Sequence, residues 1–206
     1  MKVSVIIPCK NRLAHLQESL PRVFRQSHKD LEVIVVDYNC PQKSGAWAQD
    51  VFNCKVVYCD VEPNEWSLSA ARNKGFLNST GDVILFLDAD ALLMDVNFIS
   101  NHLKLLVEGS FICGWGAGVA TGCMMCYRSA FEAVNGYNEL IQSWGAEDIK
   151  IYQAFEKDLC IERRVWVSGI ENINHGDEMR NHYHGNRPPL ETNEENFNIE
   201  GHKGLR

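Results

Sequence analysis

Two carboxylates separated by one alanine follow an apolar run in the segment VILFLDAD, residues 83–90. Five consecutive apolar residues predict a buried strand. In an extended chain Asp88 and Asp90 project from the same face, where two like charges repel each other. A hard divalent cation such as Mg²⁺ or Mn²⁺ would cancel that repulsion and could bridge a diphosphate. The pattern predicts a metal site, with turn-forming or solvated loop residues as the alternative.

Polar residues also follow two earlier apolar runs, each of which predicts a strand. VSVII at 3–7 is stopped by Pro8. Lys10, Asn11 and Arg12 then offer positive charge and hydrogen-bond donors at a predicted helix start. These donors are typical of phosphate binding, although Arg12 could equally pair with a surface carboxylate. LEVIVV at 31–36 is closed by Asp37, a position typical of an acid that binds ribose or base and also of an Asx-turn. The residues alone leave both alternatives open.

Two further acids, Glu147 and Asp148, begin a predicted helix shortly after Trp144. Acids in a first helical turn interact favourably with the helix dipole, so a capping role is one interpretation. An aromatic platform beside a carboxylate is also typical of sugar recognition, because sugars present apolar faces and hydroxyl rims. Either acid could then deprotonate an acceptor hydroxyl as a general base.

Histidine and cysteine residues supply the remaining candidate metal ligands. His175, His182 and His184 could each provide a nitrogen ligand, although for any one of them alone a place in a polar tail is favoured. Cys123 and Cys126 have the spacing of a zinc pair. Since they lie in an apolar stretch with no second such pair, a buried strand is favoured over zinc.

Strands and helices alternate in the first half of the chain. Apolar spacing predicts helices over 13–24 and 67–78, between strands at 3–7, 31–36 and 55–58 and the strand at 83–87. This alternation predicts a parallel-type α/β sheet, in which ligands bind outside the carboxyl ends of the strands. The candidate residues of the first half should therefore share one edge. In the second half we predict a strand at 122–127 and helices at 129–134 and 147–157.

Length and composition restrict the class of protein. The 206 residues fit one domain, and the net charge of −7 argues against a general nucleic-acid binder. No signal peptide and no apolar run of about 20 residues is visible, so we expect a cytoplasmic protein, compatible with peripheral association with a membrane. In that compartment the eight cysteines are expected to be reduced thiols.

Three ordered segments together resemble a glycosyltransferase of the GT-A fold, specifically a family 2-like enzyme. They are VSVIIPCKNRLAHLQESL to LEVIVVD (3–37), LSAARNKGFLNSTGDVILFLDAD (68–90) and GCMMCYRSAFEAVNGYNELIQSWGAED (122–148). The third is similar to a region shared by β-1,4-galactosyltransferases, polypeptide N-acetylgalactosaminyltransferases and bacterial chondroitin polymerases, through NGYNE and WGAED. The resemblance covers roughly residues 2–185. It implies a central, mostly parallel mixed sheet flanked by helices.

The resemblance also implies roles for individual residues. Asp148 would be the catalytic base, Trp144 and Glu147 would bind acceptor or donor sugar, and Asp90 would bind Mn²⁺ or Mg²⁺. In the galactosyltransferase branch a downstream histidine completes the metal shell, and His175 is the choice here, with His182 and His184 in reserve. The nucleotide would contact Pro8, Asn11, Arg12, Asp37 (uridine), Arg72 (diphosphate or sugar) and Asp88 (ribose and metal).

The implied function is a metal-dependent, inverting transfer of sugar from a UDP-sugar to a hydroxyl of a glycan or other acceptor. The galactosyltransferase branch tilts the donor toward UDP-galactose or UDP-N-acetylgalactosamine. We expect a catalytic domain at 1–170, with a nucleotide-binding half at 1–95 and an acceptor half at 96–170, and a polar tail or lid at 171–206. The alternatives are a nucleotidyltransferase, disfavoured because PCKNR has no glycine, and a non-catalytic nucleotide-sugar-binding or partner subunit.

Overall fold

The computed structural model describes residues 1–114, 120–142, 145–174 and 194–205. Its first half contains β1 (Val3–Cys9), α1 (Leu13–Phe24), β2 (Leu31–Asp37), α2 (Ser44–Phe52), β3 (Lys55–Tyr58), α3 (Leu68–Leu77), β4 (Val83–Phe86) and β5 (Ala91–Leu93). The second half contains α4 (Phe98–Leu105), β6 (Ser110–Cys113), β7 (Met124–Tyr127), α5 (Arg128–Ala133), α6 (Glu147–Lys157), β8 (Glu162–Val165) and β9 (Ile170–Asn172). Among these helices none is long and apolar enough to cross a membrane.

The central sheet has seven strands in the order β3-β2-β1-β4-β7-β6-β8. β1, β2, β3 and β4 are mutually parallel, β7 runs antiparallel to both its neighbours, and β6 and β8 are parallel. β5 and β9 form a separate antiparallel pair. The predicted mostly parallel mixed sheet is therefore confirmed.

Side chains that alternate between the two faces of the sheet divide the core into two layers. Val5 and Ile7 of β1 belong to the layer that α1, α2 and α4 cover, whereas Ile6 faces the layer beneath α3, α5 and α6. Cys123 and Cys126 are both buried and lie in different layers, on opposite faces of the sheet. Side chains on opposite faces cannot share one zinc ion, so the predicted buried strand is confirmed over the zinc pair.

β1 continues through Pro8 to Cys9, two residues beyond the predicted end at Ile7. The reason is positional. Leu87 N donates to Ile6 O at 3.0 Å, so the backbone polar groups of Ile6 point toward the side of β4. The backbone nitrogen of Pro8, two residues later, points to the same side. β4 ends at Phe86, which pairs with Ile6, and Pro8 therefore lies where no N–H is needed for the ladder.

The residues near the end of the chain contact the body of the fold. β9 pairs with β5 in the region where the sequence predicts the beginning of a tail or lid. Further on, Glu139 N donates to Lys203 O at 2.7 Å and Leu205 N to Asn135 O at 3.1 Å. The described part of the tail therefore packs along the NGYNE segment.

Candidate active site

The parallel register brings the ends of β1, β2 and β4 to one edge of the sheet. Cys9 lies opposite Asp37 across β1 and β2, and Ile6 lies opposite Phe86 across β1 and β4. Asp88 follows Phe86 by two residues, which places it near the level of Pro8. The candidate residues of the first half therefore share one edge, as the alternation of strands and helices predicts.

A buried arginine connects the two halves of this edge. Arg72 of α3 has no exposed surface, and its Nη2 donates to Asp88 Oδ1 at 2.8 Å. Its Nη1 donates to Glu147 Oε1 at 3.2 Å, and the guanidinium lies 5.0 Å from the ring centroid of Tyr137. Arg72, for which contact with the diphosphate or sugar is expected, is thus enclosed behind two carboxylates, and its contact with either ligand stays a prediction.

Gly122 permits the contact between Arg72 and Asp88, since a side chain at position 122 would collide with both residues. Its carbonyl accepts from Arg72 Nη2 at 2.8 Å. A Cβ on Gly122 would lie 2.7 Å from Asp88 Oδ2 and 3.1 Å from Arg72 Nη2. Gly122 could not be predicted as part of the site, because a glycine before a strand is indistinguishable from a turn glycine without the fold.

The two aspartates of DAD do not lie on an extended strand. β4 ends at Phe86, and Ala91 N donates to Asp88 O at 3.0 Å, which closes a turn. Their placement on one strand face is therefore wrong, although they remain close enough that the charge of Asp90 raises the pKa of Asp88. Burial is the larger cause of that raised pKa, and the Arg72 guanidinium opposes it.

α6 carries the second acidic pair of the site. Gly145 and Ala146 both have positive φ, and Gly145 N donates to Glu147 Oε2 at 3.0 Å. Glu147 is consequently buried between Arg72 and its own helix start, and its binding of acceptor or donor sugar stays a prediction. Asp148 is half-buried and more accessible. Burial and the neighbouring Asp148 together raise the pKa of Glu147 to about 7, against the opposing charge of Arg72.

Asp148 itself has a raised pKa, for which burial is the main cause. Its Oδ1 accepts from Ile149 N at 2.7 Å, and this bond and the charge of Arg72 oppose the shift. A carboxylate with a raised pKa is a stronger proton acceptor than an ordinary one. The arrangement can thus hold Asp148 as a base beside the partly buried carboxylates of Asp88 and Glu147.

Asp37 uses both carboxylate oxygens within its own loop. Oδ1 accepts from Cys40 N at 2.7 Å and Oδ2 from Gly45 N at 2.6 Å. These bonds fit the Asx-turn alternative and fasten the start of α2. Because a carboxylate offers about four acceptor sites, a further donor can still bind. A cavity of about 440 Å³, lined by Asp37, Asn39, Cys40, Lys43, Ala46, Tyr58, Cys59 and Asp60, opens beside it.

The loop after β1 borders the same region. Asn11 has a φ of 53°, and its N–H donates to Cys40 Sγ at 3.2 Å. Arg12 immediately precedes α1. Lys10 is buried, and its Nζ donates to Glu65 O at 2.6 Å. The predicted nucleotide residues Pro8, Asn11 and Arg12 are therefore adjacent to the Asp37 loop, while the positive charge of Lys10 faces residue 65.

Four predicted residues, Trp144, His175, His182 and His184, lie outside the described residues. The residues that precede His175 are described. β9 pairs with β5, and Ile173 N donates to Asp90 O at 2.8 Å. The described chain thus reaches Asp90 two residues before position 175. Among the described residues no group of three His, Cys, Asp or Glu side chains could hold a metal ion.

Comparison with known families decides the class of the chain. The model described as glycosyl transferase family 2 matches residues 4–133, more than half of the sequence. The chain belongs to glycosyl transferase family 2. A second model, described as the N-terminal domain of galactosyltransferase, matches residues 101–177 of this family 2 chain. The resemblance drawn from the three sequence segments is confirmed.

Relatives of this family 2 chain are matched over about half of its length. A glycosyltransferase of Rickettsia bellii, described as uncharacterized, is 35% identical over 111 residues, which are 54% of this chain and 16% of that protein. The glycosyltransferase GlyA of Streptococcus pneumoniae is 28% identical over 109 residues, 52% of this chain and 15% of GlyA. The chain therefore spans less than a fifth of these relatives.

Solved structures confirm the GT-A fold. A Drosophila β-1,4-galactosyltransferase 7 mutant in complex with manganese, UDP-Gal and xylobiose has a TM-score of 0.70 at 15% identity, covering 99% of this chain and 82% of that one. A mannosyltransferase from Pyrobaculum calidifontis in complex with GDP-Man and Mn²⁺ has a TM-score of 0.66 at 20% identity, covering 82% of this chain and 56% of that one.

Proposed function

We propose that this chain is a metal-dependent, inverting glycosyltransferase that moves a sugar from a UDP-sugar to a hydroxyl of a glycan or other acceptor. The observation that carries the proposal is the bridge made by Arg72 between Asp88 and Glu147. It couples the DAD turn of the nucleotide half (1–95) to the helix that carries Asp148 in the acceptor half (96–170). Donor and acceptor chemistry would thereby meet at one edge of the sheet.

The donor nucleotide is assigned to the edge formed by β1 and β2. The cavity beside Asp37 has a volume of about 440 Å³, within the usual range for small-molecule sites. Pro8, Asn11 and Arg12 border the same loop. Asp88 would contact the ribose and the metal. The UDP-Gal complex of the Drosophila enzyme and the galactosyltransferase match at 101–177 favour UDP-galactose or UDP-N-acetylgalactosamine as donor.

A divalent cation, Mn²⁺ or Mg²⁺, fits the residues at the DAD turn. Asp88 and Asp90 are half-buried and electrostatically coupled, and oxygen donors are the ligands that such ions prefer. Since fewer than three ligands assemble among the described residues, the remaining coordination would come from diphosphate, water and His175. When bound, the cation supplies positive charge that stabilises the departing diphosphate. Asp90 is the firmer ligand, because Asp88 Oδ1 already accepts from Arg72.

Asp148 is assigned as the base that removes the proton from the attacking hydroxyl. It is the more accessible acid of its pair, whereas Glu147 is buried against Arg72 and Gly145 N. A single displacement at the anomeric carbon by the deprotonated hydroxyl inverts its configuration. Glu147 would then position the start of α6, and Trp144 would provide the apolar platform for a sugar ring.

Replacement of the proposed base tests this assignment. Asp148→Asn keeps the size of the side chain, so UDP binding measured by calorimetry should change little. Turnover of a labelled UDP-sugar should fall by about 10²–10⁴-fold, the usual contribution of general base catalysis. Asp158→Asn, at the exposed C-terminal end of the same helix, is the matched control and should retain turnover. Equal losses of binding and turnover in Asp148→Asn would contradict the role of base.

The donor and the metal can be identified with the full chain. Isotope-labelled UDP-sugars are supplied one at a time, with Mn²⁺ and with EDTA, and both transfer and hydrolysis are measured. Metal-dependent consumption of one donor supports the proposal. Tight binding of UDP without any hydrolysis or transfer would instead support a non-catalytic nucleotide-sugar-binding subunit.

A further inference from the structure

The NGYNE segment, residues 135–139, places an aromatic ring against the buried arginine of the site. The guanidinium carbon of Arg72 lies 5.0 Å from the centroid of the Tyr137 ring, and neither side chain has any exposed surface. A cation over an aromatic face is attracted by the ring quadrupole, most strongly where water is excluded. The ring thus adds a face contact to the two Nη bonds that hold Asp88 and Glu147.

Neighbouring rings fix the orientation of Tyr137. Phe86 of β4 meets it edge to face, with ring centroids 5.3 Å apart, and the Phe131 ring of α5 lies 5.5 Å away. Tyr137 Oη is buried and has no hydrogen-bond partner among the described residues. A buried hydroxyl without a partner costs stability, so it is the ring and not the hydroxyl that accounts for the enclosure of Tyr137.

Asn73 holds the backbone of Tyr137 in this place. Asn73 follows Arg72 in α3 and is fully buried. Its Nδ2 donates to Tyr137 O at 2.8 Å and to Glu139 Oε1 at 3.0 Å, and its Oδ1 accepts from Tyr137 N at 2.9 Å. One side-chain amide therefore pairs both backbone polar groups of Tyr137, as a neighbouring strand would.

The ends of the NGYNE segment are fastened as well. Gly136 has a φ of +70°, a conformation that favours glycine, and a Cβ there would lie 2.7 Å from Asn73 Oδ1 and 2.9 Å from Leu205 Cδ2. Glu139 Oε2 lies 3.6 Å from Lys203 Nζ. The segment is consequently clamped between α3 and the described end of the tail, so the position of the Tyr137 ring is over-determined.

We propose that Tyr137 is a positioning residue for the sugar transfer and that Asn73 holds it in place. Tyr137 acts through Arg72, whose guanidinium could otherwise turn away from one of its two carboxylates. Such a turn would release either the DAD turn, to which we assign the metal, or the start of the helix that carries Asp148. The effect on turnover rests on the proposed function, whereas the support of Arg72 by the ring does not.

A double-mutant cycle in urea tests the contact between ring and guanidinium without any substrate. Tyr137→Leu and Arg72→Met together should cost less than the sum of the two single losses, with a coupling of about tenfold in the unfolding equilibrium constant. Tyr137→Phe keeps the ring and removes the unpartnered hydroxyl, so it should be at least as stable as the wild type. Additive losses, or a Tyr137→Phe variant as unstable as Tyr137→Leu, would overturn the proposal.

Kinetics of the folded protein separate positioning from general support of the core. In Tyr137→Leu we expect kcat to fall about 10–100-fold, the usual effect of a small misplacement, and the half-saturating Mn²⁺ concentration to rise because Asp88 is displaced. Tyr137→Phe should recover both. Asn73→Ser, which frees the backbone of Tyr137 but keeps its ring, should move both quantities in the same direction as Tyr137→Leu.

Phe76→Leu is the matched control for the loss of a buried ring. Phe76 lies on α3 one turn beyond Arg72, is 3% exposed, and has the guanidinium of Arg128 at 4.5 Å from its ring centroid. The variant loses the same kind of contact and should keep its kcat and its Mn²⁺ requirement. Equal kcat values in Tyr137→Leu and Phe76→Leu would overturn the positioning role. A wild type that transfers no sugar from any UDP-sugar would contradict the proposed function and the positioning role with it, while the double-mutant cycle would still decide whether the ring holds Arg72.

Discussion

Arg72 of α3 and Glu147 of α6 form an ion pair of 3.2 Å in which both side chains are enclosed, 0% and 4% exposed. Arg72 also holds Asp88 at 2.8 Å, so one cation binds carboxylates from two distant parts of the chain. Charges removed from water are costly, and they are stable in this setting because each is matched by a partner of opposite sign. The pair therefore makes the two acidic elements depend on each other.

Replacement of Arg72 should be severely destabilising. Arg72→Met leaves Asp88 and Glu147 without their countercharge, and breaking a buried pair in this way costs about 3–5 kcal/mol of the free energy of unfolding. Denaturation in urea measures the loss. Arg164→Met removes a partly exposed pair with Glu162 and a hydrogen bond to Leu105 O at 2.7 Å, and should cost less, about 1–2 kcal/mol. Adding Glu147→Gln to Arg72→Met should recover part of the loss, and no recovery would contradict the coupling.

Gly122→Ala should separate damage to the site from damage to the backbone. The added methyl group meets Asp88 Oδ2 at 2.7 Å, so Asp88 must move and the proposed activity should fall together with about 1–3 kcal/mol of stability. Gly109→Ala is the control, since Gly109 has a φ of +76° and no neighbour within 4 Å of the added atom. It should lose about 1–2 kcal/mol through backbone strain alone and keep its activity. Equal activity of the two variants would argue against the importance of the Asp88 position.

The shared edge of the sheet could be predicted because it depends on local patterns. Apolar runs that stop at polar residues mark the carboxyl ends of strands, and parallel pairing brings those ends together. The burial of Arg72 could not be predicted from such local patterns. Its enclosure depends on Asp88, Gly122 and Glu147, which come from separate segments, and nothing in the helix around it encodes those contacts.

β9 and the DAD turn differ from expectation for a similar reason. Ile170–Asn172 contains one apolar residue and is a strand only because Ala91–Leu93 supplies its partner. Asp88 leaves the extended conformation because Ala91 N closes a turn on its carbonyl. Hydrogen bonds between segments decide both structures, and periodicity within one segment cannot predict them.

Asn196 should be a positioning residue of the loop before α6. Its Nδ2 donates to Gln142 O at 3.0 Å and to Gly145 O at 3.1 Å, and the side chain is buried. Asn196→Ala would leave these carbonyls without a donor, at a cost of about 1–3 kcal/mol by urea denaturation. Because Gly145 N holds Glu147, kcat should fall while UDP affinity is retained. Asn198→Ala, on an exposed neighbour, should change stability by no more than about 0.5 kcal/mol.

Glu32 should make the stability of the sheet depend on pH in the acid range. Burial raises the pKa of its carboxyl, but hydrogen bonds from Ser4 Oγ at 2.7 Å and Thr80 N at 2.8 Å, with the charge of Lys2, outweigh burial and leave the pKa below its usual 4.5. A folded-state pKa below the unfolded one stabilises the fold above about pH 4.5, and this contribution is lost as the pH falls through the folded value. Glu32→Gln should therefore be less stable than the wild type at neutral pH, and the difference should shrink on acidification. Urea denaturation at a series of pH values measures this, with the exposed Glu62→Gln as control. A difference that stays constant or grows toward low pH would contradict the assignment.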